Sequence, residues 1–401
     1  NEPSMKVAFF ISGLGAGGIY NQTKGILNLI KKIDLIEKDN ICIITDEKKI
    51  PDDLGIDNIE IKYFKKNLFN RILFSLSELI KKNRFISRSF FLNPFQKFLK
   101  KNKIDLLVFL QPSFYSLYCD DVQFVINIWN TEIKKYYNLN EFISGGYNYQ
   151  NKIINYSVEK AFKIIVFTER NKKDLQEFYN CRPEKIIIQN LTPNLPNIYE
   201  KNKDKDYLKI FNDLDLNPKL KWFFYPAQFW PHKNHKYLLD VMKDLIAKNY
   251  HRIGFVFCGP DKGNLNYIKD TIKTENLDKN IKILGFINDE EIISIYKNCA
   301  AIIMPTLLGR SSLPLLEGLF FKKKIFYSKD TLDDHLKDYV EEFEIDKPDD
   351  LSNKLIGYIN KKEIDLLEID YEDKFSKNKF KRNYENLINE FKELLGRWKN
   401  I

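Results

Sequence analysis

The sequence predicts an α/β protein built on two doubly wound parallel sheets, and three observations lead to that class. Short, continuous apolar runs recur along the chain, of the kind a parallel sheet buries on both faces. Helical or irregular stretches alternate with them, which is the pattern of crossover connections. Between the two series, Thr192-Pro193-Asn194-Leu195-Pro196-Asn197 and the charged run Glu200–Asp206 break the periodicity. With 401 residues, 44% of them hydrophobic, the chain has material for two cores of ordinary size. The expected division is a first domain over 5–197, a second over 198–373, and a C-terminal helix over 374–401.

The first series opens with Lys6-Val7-Ala8-Phe9-Phe10-Ile11, which runs into Gly13-Leu14-Gly15-Ala16-Gly17-Gly18, and a helical pattern begins near Tyr20. Glycines at a strand-to-helix turn permit positive φ and a close ligand approach. Read literally, the segment spells a dinucleotide fingerprint, so a nicotinamide-dependent oxidoreductase using the Gly13–Gly18 loop is one alternative. That fingerprint wants an acidic residue about 20 residues on. The candidate, Asp46 after Ile41–Ile44, lies 28 residues beyond Gly18, which weakens the match. Further strands are expected at Leu106–Leu110, Phe124–Ile128, Ile164–Phe167 and Ile186–Ile188.

The segment from Tyr63 to Ile104 stands apart. It sets eleven Lys and Arg residues against the single acid Glu78, interleaved with Phe69, Phe74, Phe85, Phe90, Phe91, Phe95 and Phe98. Basic, aromatic stretches of this kind bind anionic membrane surfaces or form solvated faces over an apolar core. No nucleic-acid-binding motif accompanies the charge, so nucleic acid is not an expected partner.

The second series places strands at Trp222–Tyr225, Ile253–Cys258, Ile281–Leu284, Ala300–Ile303 and Lys324–Tyr327. Its most informative stretch runs from Ile302 to Gly318. An apolar run stopped by Pro305 is followed by Gly309, Arg310, Ser311 and Ser312, then by Leu313-Pro314-Leu315-Leu316-Glu317. That order reads as strand, loop and helix start, with a serine capping the helix and Pro314 where no N–H is needed. A free helix N-terminus with Arg310 beside it suits an anion such as a nucleotide diphosphate. In the tail, Phe380, Tyr384, Leu387, Ile388, Phe391, Leu395 and Trp398 fall at helical spacing, so a long amphipathic helix must dock on another element.

Five scattered cysteines, Cys42, Cys119, Cys181, Cys258 and Cys299, show no paired-ligand spacing and suggest buried free thiols in a reducing compartment. No apolar run approaches the ~18 residues that span a bilayer and no signal peptide is recognisable, so the expected location is cytoplasmic. Asn1–Ser4 read as a short remnant ahead of a start at Met5. His232 and His235 form an H-x-x-H pair without further ligands, so no metal is expected.

Three landmarks in the second half resemble retaining glycosyltransferases of family 4, which have the GT-B fold. They are Tyr225-Pro226-Ala227-Gln228-Phe229-Trp230-Pro231-His232-Lys233-Asn234-His235, then Leu284-Gly285-Phe286-Ile287-Asn288-Asp289-Glu290-Glu291 leading to Tyr296, then Pro305–Glu317. The resemblance covers roughly residues 5–397, loosely in the first domain. It implies two Rossmann-like domains facing each other across a cleft, with the C-terminal helix crossing back to the first. In the family an Arg-x4-Lys pair grips the donor diphosphate and a Glu-x7-Glu pair touches the donor sugar and ribose. Lys233 keeps the lysine and Glu317 the second glutamate, whereas Gln228 stands in place of the arginine and Gly309 in place of the first glutamate. The second departure matches a subset with a Gly-x-Ser/Thr-x-x-Pro loop.

The resemblance therefore assigns catalytic roles to Lys233, Arg310 and Glu317, with Lys233 and Arg310 on phosphate and Glu317 on the ribose. Main-chain N–H groups of Ser311, Ser312 and Leu313 would lie beside the phosphate, with Gln228 and Gly309 also in the donor site and the Phe286-Ile287 backbone near the base. In the first domain, Gly15, Gly17 and Gly18 would close on donor and acceptor, and Asn130, in Trp129-Asn130-Thr131-Glu132, would contact substrate. The implied co-substrate is a nucleotide-diphosphate sugar, with no cofactor. The implied acceptor is a polyprenyl-linked glycan at an anionic membrane surface in bacterial surface polysaccharide synthesis. A further alternative is a catalytically weak homologue that binds membranes or partners, suggested by Gln228 and Gly309.

Overall fold

The computed structural model describes residues 5–13, 18–30, 40–56, 59–65, 70, 72–74, 93–119, 121–137, 139, 146–191, 193–308, 312–329, 331–361 and 377–399. The chain divides into two compact units. One comprises Asn1–Lys135, Gly145–Asn190 and Ser376–Ile401, and the other Tyr136–Ser144 and Leu191–Phe375.

In the first unit, strands β1 (Val7–Ile11), β2 (Ile41–Thr45), β3 (Glu60–Tyr63), β4 (Leu106–Phe109), β5 (Gln123–Asn127), β6 (Lys163–Val166) and β7 (Ile186–Ile188) form one parallel sheet. Their order is β3-β2-β1-β4-β5-β6-β7. Every residue of β1, β2 and β4 is buried, as expected for strands covered on both faces by crossover helices. The edge strand β3 was not expected. Its Glu-Ile-Lys-Tyr sequence is half exposed and carries no continuous apolar run.

The C-terminal helix Lys377–Lys399 packs on this sheet and on the helix Gly18–Ile30. Phe380, Tyr384, Leu387, Ile388 and Phe391 enter the same core as Val7, Phe9, Ile26 and Ile30. The Phe391 ring meets Phe162 at 5.3 Å, the Asn383 amide donates to the Ile188 carbonyl, and Lys163 pairs with Glu390 at 2.6 Å. Each large apolar side chain removed from water contributes about 1.5–3 kcal/mol as an upper estimate, so this helix is a structural part of the unit.

Most of the basic segment lies outside the described residues. Where it is described, Phe74 and Phe95 are buried, in a cluster with Phe64, Phe98 and Tyr115. These two rings, counted from the sequence among possible membrane-facing phenylalanines, are core instead. The helix Pro94–Lys101, capped by Asn93, turns Phe95 inward on its apolar side.

The second unit repeats the topology. Strands β8 (Lys221–Pro226), β9 (Ile253–Cys258), β10 (Ile281–Gly285), β11 (Ala301–Met304), β12 (Ile325–Ser328) and β13 (Glu341–Phe343) are parallel in the order β10-β9-β8-β11-β12-β13. The edge strand β13 was missed for the same reason as β3, because Glu-Glu-Phe offers only one apolar residue. In each sheet the order reverses beside the first strand, between β1 and β4 and between β8 and β11. Open α/β sheets bind ligands at the carboxyl ends of strands flanking that reversal.

Candidate functional site

In the second unit, the loops at the carboxyl ends of the strands form a row joined by backbone hydrogen bonds. Gly259 N–H, after β9, donates at 2.8 Å to the carbonyl of Gly285, the last residue of β10. Phe229 N–H, after β8, donates to the Pro260 carbonyl at 3.1 Å, and Leu307 N–H, after β11, donates to the His232 carbonyl at 2.8 Å. Four loops widely separated in sequence are thereby held as one rim, with the topological reversal between the last two.

Lys233 ends a short 3-10 turn, Pro231–Lys233, on this rim. Its carbonyl accepts the buried Tyr225 hydroxyl at 2.8 Å, and Asn234 takes a left-handed conformation at φ 55° to start the helix His235–Ala247. Behind the turn, His235 is fully buried between Phe229, at 4.3 Å and stacked, Tyr225 and Phe257. Burial, with a smaller contribution from the Lys233 charge, pushes its pKa down to about 3. His235 is thus a neutral packing residue. Among the described residues no group of three or more His, Cys, Asp or Glu side chains is placed to hold a metal ion.

Across the reversal, the helix Leu313–Phe320 begins with Ser312 as its cap, the Ser312 hydroxyl accepting from Leu315 N–H at 3.3 Å. Pro314 has no N–H, and the Leu313 N–H has no partner within the helix, so this end presents a donor and the positive end of the dipole. Gly309, Arg310 and Ser311 lie outside the described residues.

Glu317 sits in the second turn of that helix and is only 4% exposed. Its Oε2 accepts the Tyr296 hydroxyl at 2.9 Å, and Tyr296 is itself fully buried, stacked on Phe321. Burial raises the Glu317 carboxyl to about 7, with the Tyr296 hydrogen bond opposing and the Asp289 charge assisting. The neighbouring Cys258 thiol is held well above its ordinary range by burial and by the Glu317 charge. The sequence assigned Glu317 to a ribose. The structure shows it first as one member of a buried Glu–Tyr–Cys cluster under the rim.

Gln228 and Trp230 lie on the same loop as Lys233. The Trp230 indole Nε1–H donates to Gln228 Oε1 at 2.9 Å. Phe286 and Ile287 follow β10 at the end of the row, with the Phe286 side chain 71% exposed. Sequence reasoning missed Gly259. Its φ of +146° disfavours a side chain, and a Cβ there would lie 2.5 Å from the Ala227 carbonyl oxygen and 2.9 Å from Gln228 Cα. The adjoining Cys258-Gly259-Pro260 at the end of an apolar strand was the available signal.

The remaining sequence-assigned residues belong to the first unit. Gly18 opens the helix Gly18–Ile30, and Gly15 and Gly17 lie outside the described residues. Gly13 N–H donates to Glu47 Oε1 at 2.8 Å, and the Gln111 amide donates to the Ser12 carbonyl and, at 3.1 Å, to the Ser12 hydroxyl. A carboxylate on the first glycine's N–H puts negative charge where a pyrophosphate needs donors, which counts against the dinucleotide reading. Asn130 Oδ1 accepts from Glu132 N–H at 2.9 Å and so shapes its own turn, while Thr131 is buried against Asp174 and Asn171.

Residues 206–382 match the family model of glycosyl transferases group 1. No curated protein matches the chain. Among solved structures, a glycosyltransferase from Rickettsia africae ESF-5 is similar at a TM-score of 0.67 and 18% identity, over 97% of this chain and 99% of that one. Alr3699/HepE of Anabaena, in complex with UDP and glucose, is similar at 0.72 and 12% identity, over 96% and 99%. WaaG, a glycosyltransferase involved in lipopolysaccharide biosynthesis, is similar at 0.64 and 12% identity, over 88% and 90%. The expected fold is borne out as two parallel-sheet, Rossmann-like α/β units of the GT-B type.

Proposed function

We propose, from the group 1 glycosyl transferase match over residues 206–382 and the GT-B fold of the whole chain, that this protein is a glycosyltransferase drawing on a nucleotide-diphosphate sugar. The observation that carries the reading is the Leu307-to-His232 hydrogen bond. It ties the loop bearing Lys233 to the strand that leads into the Ser312-capped helix, at the reversal where such sheets bind ligands. Breaking the bond between sugar and phosphate builds negative charge on the diphosphate. Lys233, Arg310 and the helix N-terminus at Leu313 stabilise that charge electrostatically, and no metal is required for it.

The finer reading is of a family 4 enzyme that retains configuration. Its donor is recognised without a carboxylate at Gly309, as suits a deoxysugar, since a buried carboxylate with no hydroxyl partner is costly. Comparable kcat/KM for a full hexose donor would contradict that choice. The acceptor is a polyprenyl-linked glycan in bacterial surface polysaccharide synthesis, a reading supported by the similarity to WaaG. The enzyme works in the cytoplasm at the membrane face, held there by the basic segment. Among the described residues no helix is long and apolar enough to cross a membrane. Tyr63, Ile72 and Phe114, exposed near that segment, replace the buried Phe74 and Phe95 as apolar contacts. Vesicle co-sedimentation that ignores lipid charge and salt would refute the membrane attachment.

A thermal-shift screen of nucleoside diphosphates tests the central reading. A bound nucleotide at a hundredfold excess over its Kd stabilises the fold by about 2.7 kcal/mol. No shift with any common nucleotide would remove it.

A further inference from the structure

We infer that Tyr296 is a positioning residue for Glu317: its hydroxyl holds one carboxylate oxygen, Oε2, so that the other, Oε1, is left to accept from the ribose hydroxyls of the donor. This rests on the proposed nucleotide-sugar reading of the rim and deepens it. Oε2 accepts the Tyr296 hydroxyl at 2.9 Å, whereas no described residue hydrogen-bonds Oε1. Nor is Oε1 sealed off, since it keeps contact with solvent within the 4% of Glu317 that remains exposed. The carboxylate lies near Cys258, the last residue of β9 and the neighbour in sequence of the rim residue Gly259, and its charge helps to keep that thiol protonated. An otherwise buried carboxylate with one oxygen held and one open is an acceptor that a ligand hydroxyl can satisfy.

Tyr296 is itself firmly placed. Its ring is fully buried, stacked on Phe321 at 5.4 Å and 15° and edge-on to Phe224 at 5.1 Å. Its helix, Asp289–Asn298, is fixed at the start by reciprocal hydrogen bonds between Asn288 and Glu291. The hydroxyl carries one proton, and the charged oxygen at 2.9 Å takes it in preference to the Pro314 carbonyl at 3.4 Å. Burial holds the phenol well above its ordinary range, so Tyr296 keeps that proton and donates. The titratable groups facing Glu317 are Tyr296 and Asp289 from this helix and Cys258 from β9. Burial and the Asp289 charge both oppose ionisation of the carboxyl, and the Tyr296 hydrogen bond favours it. Loss of the hydroxyl therefore leaves the carboxyl harder to ionise and freer to turn.

The test is calorimetry with UDP, GDP and dTDP, the tightest binder being carried forward beside its counterpart without ribose hydroxyls. The two share the titration of the phosphates, so the ratio of their affinities reports the ribose contact. In the wild type the hydroxylated nucleotide should be preferred about tenfold at pH 8, as for a hydrogen bond to a charged group. That preference should shrink as pH falls below about 7, where Glu317 takes up its proton. Tyr296→Phe keeps the ring and its stacking and removes the hydroxyl. It should cut the preference about threefold or more and start its decline at a higher pH, while affinity for the hydroxyl-free nucleotide changes by less than about twofold. Glu317→Gln should abolish the pH dependence of the preference. Equal weakening of both nucleotides by Tyr296→Phe, or an unmoved pH profile, would overturn the inference and leave Tyr296 as core packing. A wild type that binds nucleotides with no preference for ribose hydroxyls would overturn it while the donor site stands. A wild type that binds none of the three would overturn the donor-site reading as well.

Discussion

Glu317 and His235 are both buried and ionisable, and they give stability opposite dependences on pH. The folded protein holds the Glu317 carboxyl at about 7 against an ordinary 4.5. Between those values it keeps a proton that the unfolded chain has released, so stability falls as pH rises through the window, by about 3 kcal/mol in all. His235 is held at about 3 against 6.5, so the unfolded chain binds the extra proton and stability falls as pH drops below 6.5. At pH 5 that loss is about 2 kcal/mol. Glu317→Gln, which can still accept from Tyr296, should gain stability over wild type at pH 8 and much less at pH 5. Thermal denaturation at the two values checks this, and an equal difference at both would show that burial does not govern the carboxyl.

At the scale of elements, the rim depends on backbone fit as much as on side chains. A Cβ at Gly259 would strike the Ala227 carbonyl and Gln228 Cα, neither of which can move without shifting the loop that carries Lys233. Gly259→Ala should cost more than about 1 kcal/mol of stability, since Ala is strained at positive φ. It should also lower turnover by about 10²-fold, the cost of misplacing a catalytic group by roughly 1 Å. Turnover equal to wild type would show that the loop tolerates displacement. The C-terminal helix supports a different prediction. Phe391→Ala removes a fully buried ring packed on Phe162 and should cost about 3–5 kcal/mol. Calorimetry should show the loss in the unfolding of the first unit, and an unchanged melting profile would mean that the helix is not part of its core.

What could be read before the structure follows from the same physics. The other eleven strands were legible because each is dominated by apolar residues. Glu60–Tyr63 and Glu341–Phe343 were not, because their sequences are polar; the other two edge strands, Ile186–Ile188 and Ile281–Gly285, are apolar enough to read. Lys233 and the Ser312 cap were legible from local pattern, since a lysine in a short loop and a serine before Leu-Pro depend only on near neighbours. Gly259 against Ala227 and Tyr296 on Glu317 depend on contacts made only once the loops and helices are packed, and beyond the Cys258-Gly259-Pro260 break no local pattern foretold them.

At the scale of the whole molecule, a net charge of +9 and the GT-B topology frame one claim: the carboxyl rim of the second sheet binds and cleaves a nucleotide sugar. The most direct measurement is release of nucleoside diphosphate from a panel of nucleotide sugars, comparing wild type with Lys233→Ala. With acceptor absent, slow release from one donor is expected of the wild type, and a fall of about 10²–10³-fold in kcat for Lys233→Ala, as for removal of a group that stabilises developing charge. Release from no donor, or equal release by the two proteins, would contradict it.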